Sequence, residues 1–250
     1  MMTELKPFWN KFFGFNYKFA LALILIICVP RFLMVLNANV TAKYNSIAII
    51  MIVSALAPFI FLSKTGLKQI GFANPKKYFL LPVSFFIGLI FSLILFWFGD
   101  MLYGNSYNNW YYYIGKSYNV PVGINLTDKR IYFFIFAFTG MIFSPIGEEL
   151  FFRGIVHTAF ARSFGEIKAA ISDSISFALT HISHFGLVFI ANQWTFLPVP
   201  ALIWVSSMFL AGIIFAYFRR KSGSILGAMV CHAGFNLGMT YSIFYLLNVF

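Results

Sequence analysis

Negative charge is the scarcest feature of this 250-residue chain, which contains only 7 Asp and Glu residues. All charged residues together make up 10% of the sequence, whereas a soluble domain carries about 25%. Hydrophobic residues make up 60%. Because no water-soluble fold buries this much apolar surface, the composition excludes a soluble globular domain and predicts a polytopic membrane protein.

Other features are scarce or missing as well. The two cysteines, Cys28 and Cys231, both lie in apolar runs, so we interpret them as packing residues rather than as a disulfide. The chain shows no internal repeat, no low-complexity tract and no soluble stretch, so residues 1–250 are interpreted as a single membrane domain. No small-residue cleavage site follows the basic, aromatic N-terminus, and a cleavable signal peptide is therefore not expected.

Positive charge is present in excess, since 18 Lys and Arg residues give a net charge of +11. Such an excess also occurs in nucleic-acid-binding proteins, but here the positive residues cluster at the ends of apolar runs. That is the pattern that membrane topology requires. We therefore expect a lipid bilayer, and not a nucleic acid, as the environment of this chain.

The apolar runs predict an all-α bundle of about seven transmembrane helices, each near the ~20 residues that cross a bilayer. If the N-terminus is cytoplasmic, most Lys and Arg residues fall on the cytoplasmic side of the membrane. Arg31 is counted among the few positive charges on the opposite side. The predicted location is a membrane, with the N-terminus on its cytoplasmic side. The predicted spans are 17–37, 44–63, 78–98, 131–152, 169–191, 200–218 and 225–249.

The longest polar stretch, residues 99–130, is expected to lie outside the membrane. It contains the aromatic run Trp110-Tyr111-Tyr112-Tyr113, which suits a surface loop at the level of the lipid headgroups. The alternative interpretation is a lid over a substrate entrance.

Two of the few acidic residues, Glu148 and Glu149, are adjacent and follow an apolar run. A carboxylate inside a membrane costs about 2.5–3.5 kcal/mol on insertion scales, so such residues are usually functional. Glu149 and Arg153 share one helical face at spacing i, i+4, which favours an ion pair. Glu148 points about 100° away from Glu149 and is left free for chemistry. A purely structural role of both glutamates is the alternative.

All four histidines lie downstream of the glutamates. In the fifth predicted span, Asp173, Phe177, His181 and His184 recur at helical spacing, so one face of a helix would carry all four. In the last span, His232 and Asn236 are spaced i, i+4 and are flanked by small residues that let helices approach closely. A packing or hydrogen-bonding role is the alternative for each group. The flanking small residues are Gly227, Ala228, Ala233, Gly234 and Gly238.

These side chains are suited to hydrolysis of an amide bond. A glutamate beside a histidine can activate a water molecule as a general base, and a second histidine with an asparagine can donate hydrogen bonds to a developing oxyanion. The alternative is a zinc site in which Glu148, His181 and His232 bind the metal and water takes the fourth position. The His-Glu-x-x-His spacing of zinc proteases is absent, as are Gly-x-Ser-Gly and Gly-x-Gly-Asp.

Three short motifs occur in order in three apolar spans: Glu148-Glu149-x-x-x-Arg153, Phe177-x-x-x-His181 and His232-x-x-x-Asn236. Together they resemble the motifs of the CPBP family, which comprises CAAX prenyl endopeptidases and the bacteriocin-processing or self-immunity proteins also called Abi proteins. Each motif alone is weak, but the ordered set is specific. The resemblance covers residues 131–240, and the N-terminal half carries none of it.

The resemblance implies an intramembrane endopeptidase whose active site lies in a cavity within the membrane. Glu148 with His181 would activate water, His232 and Asn236 would hold the oxyanion, and Glu149, Arg153 and Phe177 would support the site. The glutamate-type members of the family imply that no metal is required, although the family has also been described as metal-dependent. His157 and His184 fall outside the motifs and are assigned to structure.

The short length and sparse loops resemble the bacterial branch of the family, which implies a bacterial cytoplasmic membrane as the location and peptide precursors or membrane proteins as substrates. The main alternative is a non-catalytic membrane scaffold or bacteriocin self-immunity protein, because some relatives act without these residues. A transporter with a buried Glu and His proton relay is a third hypothesis, weakened by the missing internal repeat.

Overall fold

A computed structural model describes residues 3–43, 45–247 and 250 of the chain. They form a bundle of α-helices with one small β-hairpin, which confirms the all-α class. The helices are α1 (Tyr17–Thr41), α2 (Asn45–Phe61), α3 (Lys64–Gln69), α4 (Leu80–Tyr103), α5 (Trp110–Ser117), α6 (Leu126–Glu149), α7 (His157–Phe164), α8 (Glu166–Thr180), α9 (Pro198–Ser222) and α10 (Ile225–Tyr241).

The long helices fit a protein that is integral to a membrane. Among the described residues, four helices are long and apolar enough to cross a bilayer. Three are α1, α4 and α9, and the fourth is the continuous helix Leu126–Phe164, in which the π-helical segment Leu150–Val156 joins α6 to α7. Helix α2 is apolar but shorter. The predicted count of about seven spans and the side on which the N-terminus lies stay predictions.

The core of the bundle is apolar and rich in large aromatic side chains. Trp110, Trp204 and Phe185 lie within it and contact one another. Cys28 and Cys231 are buried free thiols, which confirms their interpretation as packing residues.

The fifth predicted span, 169–191, is wrong in its second half. Helix α8 ends at Thr180, and a 3₁₀ turn, His181–Ser183, follows. Helix α8 ends there because the hydroxyl of Thr180 and the ring Nδ1 of His181 both bond the carbonyl of Phe177, a local bond that competes with the helical pattern. His184 therefore lies on a turn and not on the helical face of Asp173.

A β-hairpin takes the place of the end of that predicted span. Strand β1 (Leu187–Ile190) pairs antiparallel with β2 (Gln193–Phe196), with Leu187 opposite Phe196. Ala191 and Asn192 form the connection with positive φ angles of 49° and 62°, as a two-residue primed turn requires. Since alanine rarely adopts this conformation, Ala191-Asn192 lacks the usual sequence signal of a hairpin.

The aromatic part of the stretch 99–130 does not lie on the surface. Trp110 and Tyr111 in helix α5 are fully buried, so the predicted headgroup-level loop is wrong. Gly99 permits this insertion, because a Cβ atom there would lie 2.8 Å from the Trp110 ring. The Tyr111 hydroxyl and Ser92 Oγ form a hydrogen bond of 2.7 Å inside the bundle, which satisfies the polar end of the ring.

Close packing of α4 against α10 fixes the position of the last motif. Added Cβ atoms at Gly234 and Gly88 would overlap backbone carbonyl oxygens of Phe85 and Cys231, respectively. Small residues on α10 therefore let the two backbones approach closely, as predicted.

Candidate active site

The adjacent glutamates lie where the longest helix changes its winding. Glu148 and Glu149 are the last two residues of α6, and the π-helical turn Leu150–Val156 follows directly. Turns of this type are rare and occur frequently at functional sites. Both glutamates are buried, with exposed fractions of 3% and 0%, so each of them needs a partner inside the protein.

Glu148 is held by two donors on one oxygen. Its Oε1 atom accepts hydrogen bonds from Arg31 Nη2 at 2.7 Å and from Ser144 Oγ at 2.8 Å. Its Oε2 atom is buried and accepts no hydrogen bond from the described part of the chain. This second oxygen lies 4.0 Å from His181 Nε2. Glu148 is therefore not the partner of Arg153, as expected, but Arg31 in α1 pairs with it through Oε1.

His181 faces Glu148 through a defined ring nitrogen. Its Nδ1 lies 2.7 Å from the carbonyl oxygen of Phe177, and a carbonyl can only accept, so Nδ1 carries the proton. Nε2 is left to face Glu148. The indole of Trp204 donates to the carbonyl of His181 at 3.1 Å and anchors the backbone of the turn.

Glu149 connects two of the three motifs. Its Oε1 atom lies 2.8 Å from His232 Nδ1 and 3.4 Å from Arg153 Nη1. The predicted ion pair of Glu149 with Arg153 is present, but the shorter contact is the one to His232. The ring of His232 stacks on Phe215 at 4.7 Å between centroids, so its orientation is fixed from two sides.

Asn236 lies one helical turn after His232 and is also oriented. Its Nδ2 donates to the carbonyl oxygen of Gly140 in α6 at 2.8 Å. An amide group has two N–H donors, so one of them remains for another acceptor. The contact also joins α10 to the helix that carries the glutamates.

Arg153 is fully buried and surrounded by aromatic rings. Its guanidinium carbon lies 4.2 Å from the ring centre of Phe177 and 5.4 Å from that of Phe215. Such cation–π contacts are worth about 2 kcal/mol when desolvated. Phe177 therefore supports the site twice, through its ring and through its carbonyl oxygen.

A chain of polar contacts leads from Arg153 toward the protein surface. Arg153 Nε lies 3.8 Å from Asp173 Oδ1, and Asp173 Oδ2 bonds His157 Nδ1. His157 Nε2 lies 3.0 Å from Glu166 Oε2, whose side chain is 57% exposed. The hydrogen bond from His157 lowers the pKa of Glu166 below its usual value. Among the described residues, His157 thus links Asp173 to Glu166 and has a structural role. It lies outside the cavity that the motif residues line.

One cavity of about 250 Å³ collects the predicted catalytic residues. Glu148, His181, His232 and Asn236 all line it, although they come from α6, the turn after α8, and α10. The remaining lining is mostly apolar and aromatic, and α5 contributes Ile114. Helix α5 and the following Tyr118 reach the cavity wall. The stretch 99–130 therefore borders the cavity, as its alternative interpretation as a lid over a substrate entrance requires.

His184 and Asn39 are among the lining residues that lie outside the three motifs. His184 is in the cavity wall, with its ring centre 5.4 Å from that of His181. Asn39 of α1 also lines the cavity and donates its Nδ2 to the carbonyl of Ser183 at 2.8 Å.

Arg31 is the charged neighbour that the sequence analysis missed. It was counted among loop charges, but it lies in the interior of α1 with 3% exposure. The available signal was its position inside an apolar run after Pro30, since a charge within a span must find a partner.

One oxygen of Glu148 is bound by a guanidinium, and His232 Nδ1 is bound to Glu149. A zinc ion would have to bind the other oxygen of Glu148 and the Nε2 atoms of His181 and His232, so the alternative zinc site stays a prediction. Across the described residues, no three His, Cys, Asp or Glu side chains are grouped so as to hold a metal ion. We therefore derive no step through a metal.

Comparisons with known proteins support the same region of the chain. Residues 130–238 match the family described as type II CAAX prenyl endopeptidase Rce1-like, and this range contains all three motifs. No curated protein and no solved structure matches the chain. The family is one of proteases that act on peptide or protein substrates. Residues 130–238, somewhat less than half of the chain, are thus similar to the Rce1-like family of CAAX-type proteases.

Proposed function

We propose that the chain is an intramembrane endopeptidase that hydrolyses a peptide bond with water activated by Glu148 and His181. One observation carries the proposal. The unpartnered Oε2 of Glu148 and the Nε2 of His181 face each other 4.0 Å apart at a cavity. Both atoms accept hydrogen bonds in this state, so a single water molecule can donate one hydrogen to each of them.

The first step is attack of this water on the substrate carbonyl. The water oxygen forms a bond to the carbonyl carbon while its proton passes to the Glu148–His181 pair, which acts as general base. The C–N bond of the resulting tetrahedral intermediate then breaks. The proton held by the pair passes to the leaving amine, so atoms and charge balance without a covalent enzyme intermediate.

His232 and Asn236 supply hydrogen bonds for the oxyanion in this mechanism. Asn236 has one amide N–H beyond the bond to Gly140, and His232, oriented by the contact of its Nδ1 with Glu149, would donate from Nε2. Each such donor, oriented before the reaction, contributes about 10²–10³ in rate. The stacking of His232 on Phe215 and the bond of Asn236 to Gly140 reduce the reorganisation that the step requires.

No cofactor is required in this proposal. The Arg31 guanidinium neutralises the carboxylate that a metal would otherwise bind. The substrates we propose are peptide precursors or membrane proteins, because the cavity is lined mostly by apolar and aromatic side chains and an apolar segment loses little by leaving the bilayer for it.

The test is cleavage of a panel of tagged apolar membrane peptides by the purified protein in detergent or proteoliposomes. Wild type is compared with Glu148→Gln, His181→Ala and the control Glu4→Gln, whose carboxylate pairs with Arg162 away from the cavity. We expect loss of about 10²–10⁴ in rate for the first two variants, no change in the control, and no effect of a strong chelator.

Two outcomes would change the assignment. If a chelator abolishes cleavage and zinc restores it, Glu148 acts as a metal ligand and not as a general base. Retention of the cellular phenotype by a Glu148→Gln protein would support the scaffold or immunity alternative instead of hydrolysis.

A further inference from the structure

A charged residue outside the family-matched segment contacts the proposed general base. Arg31 lies in α1, about a hundred residues before the segment 130–238, and it is 3% exposed. Burial of an unpaired guanidinium is strongly unfavourable. Its described ion-pair partner is Glu148, through a contact of 2.7 Å that joins residues 117 positions apart.

The geometry of this contact fixes which oxygen of Glu148 is available. Arg31 Nη2 and Ser144 Oγ both donate to Oε1. Two donors on one oxygen prevent the carboxylate from rotating freely, and they leave Oε2 toward His181 Nε2. Arg31 itself is not among the residues described as lining the cavity, so it acts on Glu148 from behind and does not touch the reacting atoms.

The same face of α1 also contacts the turn that carries His181, the second group of the proposed general base. Asn39 follows Arg31 by eight residues, about two helical turns or 12 Å. Its Nδ2 donates to the carbonyl of Ser183, which belongs to the 3₁₀ turn that begins at His181. Helix α1 is therefore bonded to both elements that present the proposed water-activating groups.

We propose that Arg31 is the positioning residue of Glu148, and that α1, through Arg31 with Asn39, sets the separation of Glu148 Oε2 and His181 Nε2. This inference rests on the proposed function. It implies that the three motifs do not complete the active site, because part of its support comes from the N-terminal half of the chain.

The experiment measures kcat and KM of Arg31→Gln, Arg31→Lys, Ser144→Ala and Asn39→Ala beside wild type and Glu148→Gln, together with thermal unfolding of each. We expect kcat of Arg31→Gln to fall about 100-fold, since loss of alignment alone costs about this much, with KM within about threefold. Arg31→Lys should recover a large part of kcat, because an ammonium can still donate to Oε1.

Ser144→Ala keeps the buried ion pair and tests the same geometry if Arg31→Gln does not fold. Loss of one hydrogen bond to a charged group predicts a fall in kcat of about tenfold, with a smaller decrease in unfolding temperature than in Arg31→Gln because the ion pair remains. A merely structural role of Arg31 would lower the unfolding temperature of its variants without a specific effect on kcat in the folded fraction.

The failure of this inference is distinguishable from the failure of the proposed function. If Glu148→Gln is inactive while Arg31→Gln has wild-type kcat, the positioning role is wrong and the mechanism stands. A rise in KM at unchanged kcat would make Arg31 a substrate-binding residue and would also overturn the inference. If Arg31→Gln does not fold, wild-type kcat in Ser144→Ala overturns it.

Discussion

Glu149 Oε1 lies 2.8 Å from His232 Nδ1, closer than its 3.4 Å contact with Arg153. The second glutamate of the first motif thus orients the histidine of the third motif.

Glu149→Gln tests this relationship. The amide keeps the size of the side chain but removes the charged group that His232 Nδ1 contacts, so the ring of His232 is oriented less firmly toward the oxyanion. We expect kcat to fall about 10²–10³-fold, as for removal of an oxyanion donor, and KM to change little. Steady-state kinetics with Glu4→Gln as control measures this, and kcat within twofold of wild type would contradict the role.

Asn236→Ala should also impair the chemical step. It removes the spare amide N–H and leaves the carbonyl of Gly140 without its described side-chain donor. We expect a fall in kcat of about 10²–10³ and a loss of stability of about 1–3 kcal/mol. The control is Ser242→Ala, a buried polar residue on the continuation of α10 that bonds Gly238 and does not line the cavity. Equal kinetics of the two variants would remove Asn236 from the mechanism.

Burial cost marked the glutamates, and helical spacing marked His232 with Asn236. Their assignment to one site came from the resemblance to the CPBP motifs, and in the structure all of Glu148, His232 and Asn236 line one cavity. The pairing of Arg31 with Glu148 could not be found in this way, because it depends on how α1 packs and local periodicity carries no information about a partner 117 residues away.

The end of α8 shows a second limit of the sequence pattern. Hydropathy continues through 169–191, yet side-chain bonds to the Phe177 carbonyl and a hairpin at Ala191-Asn192 end the helix early. The buried aromatic residues of α5 were predicted to lie at the surface for a related reason. From sequence alone, Tyr111 is predicted to lie at the membrane interface. The structure shows instead that Ser92 bonds its hydroxyl inside the bundle.

Gly234→Ala tests the close approach of α4 and α10. The added methyl group would overlap the carbonyl oxygen of Phe85, so the helices must separate, at a cost of about 1–3 kcal/mol. Activity should fall as well, because α10 carries His232 and Asn236. Thermal unfolding in detergent measures the effect, with Gly140→Ala as control, since a Cβ there meets its nearest atom only at 3.9 Å. Equal unfolding temperatures of both variants would contradict the packing argument.

Glu166→Gln tests the outer end of the polar chain by its pH dependence. The hydrogen bond from His157 lowers the folded-state pKa of Glu166 below its value in the unfolded chain. The contribution of Glu166 to stability is therefore fully present above the unfolded pKa and is lost as pH falls through the folded one. We expect the unfolding temperature of the variant to lie below that of wild type at pH 7 and to converge with it as the buffer becomes acidic through the carboxylate range. Because the side chain is more than half exposed, solvent screening keeps the difference small. A difference that is constant from pH 7 down through that range would show that the bond to His157 does not depend on the ionised carboxylate.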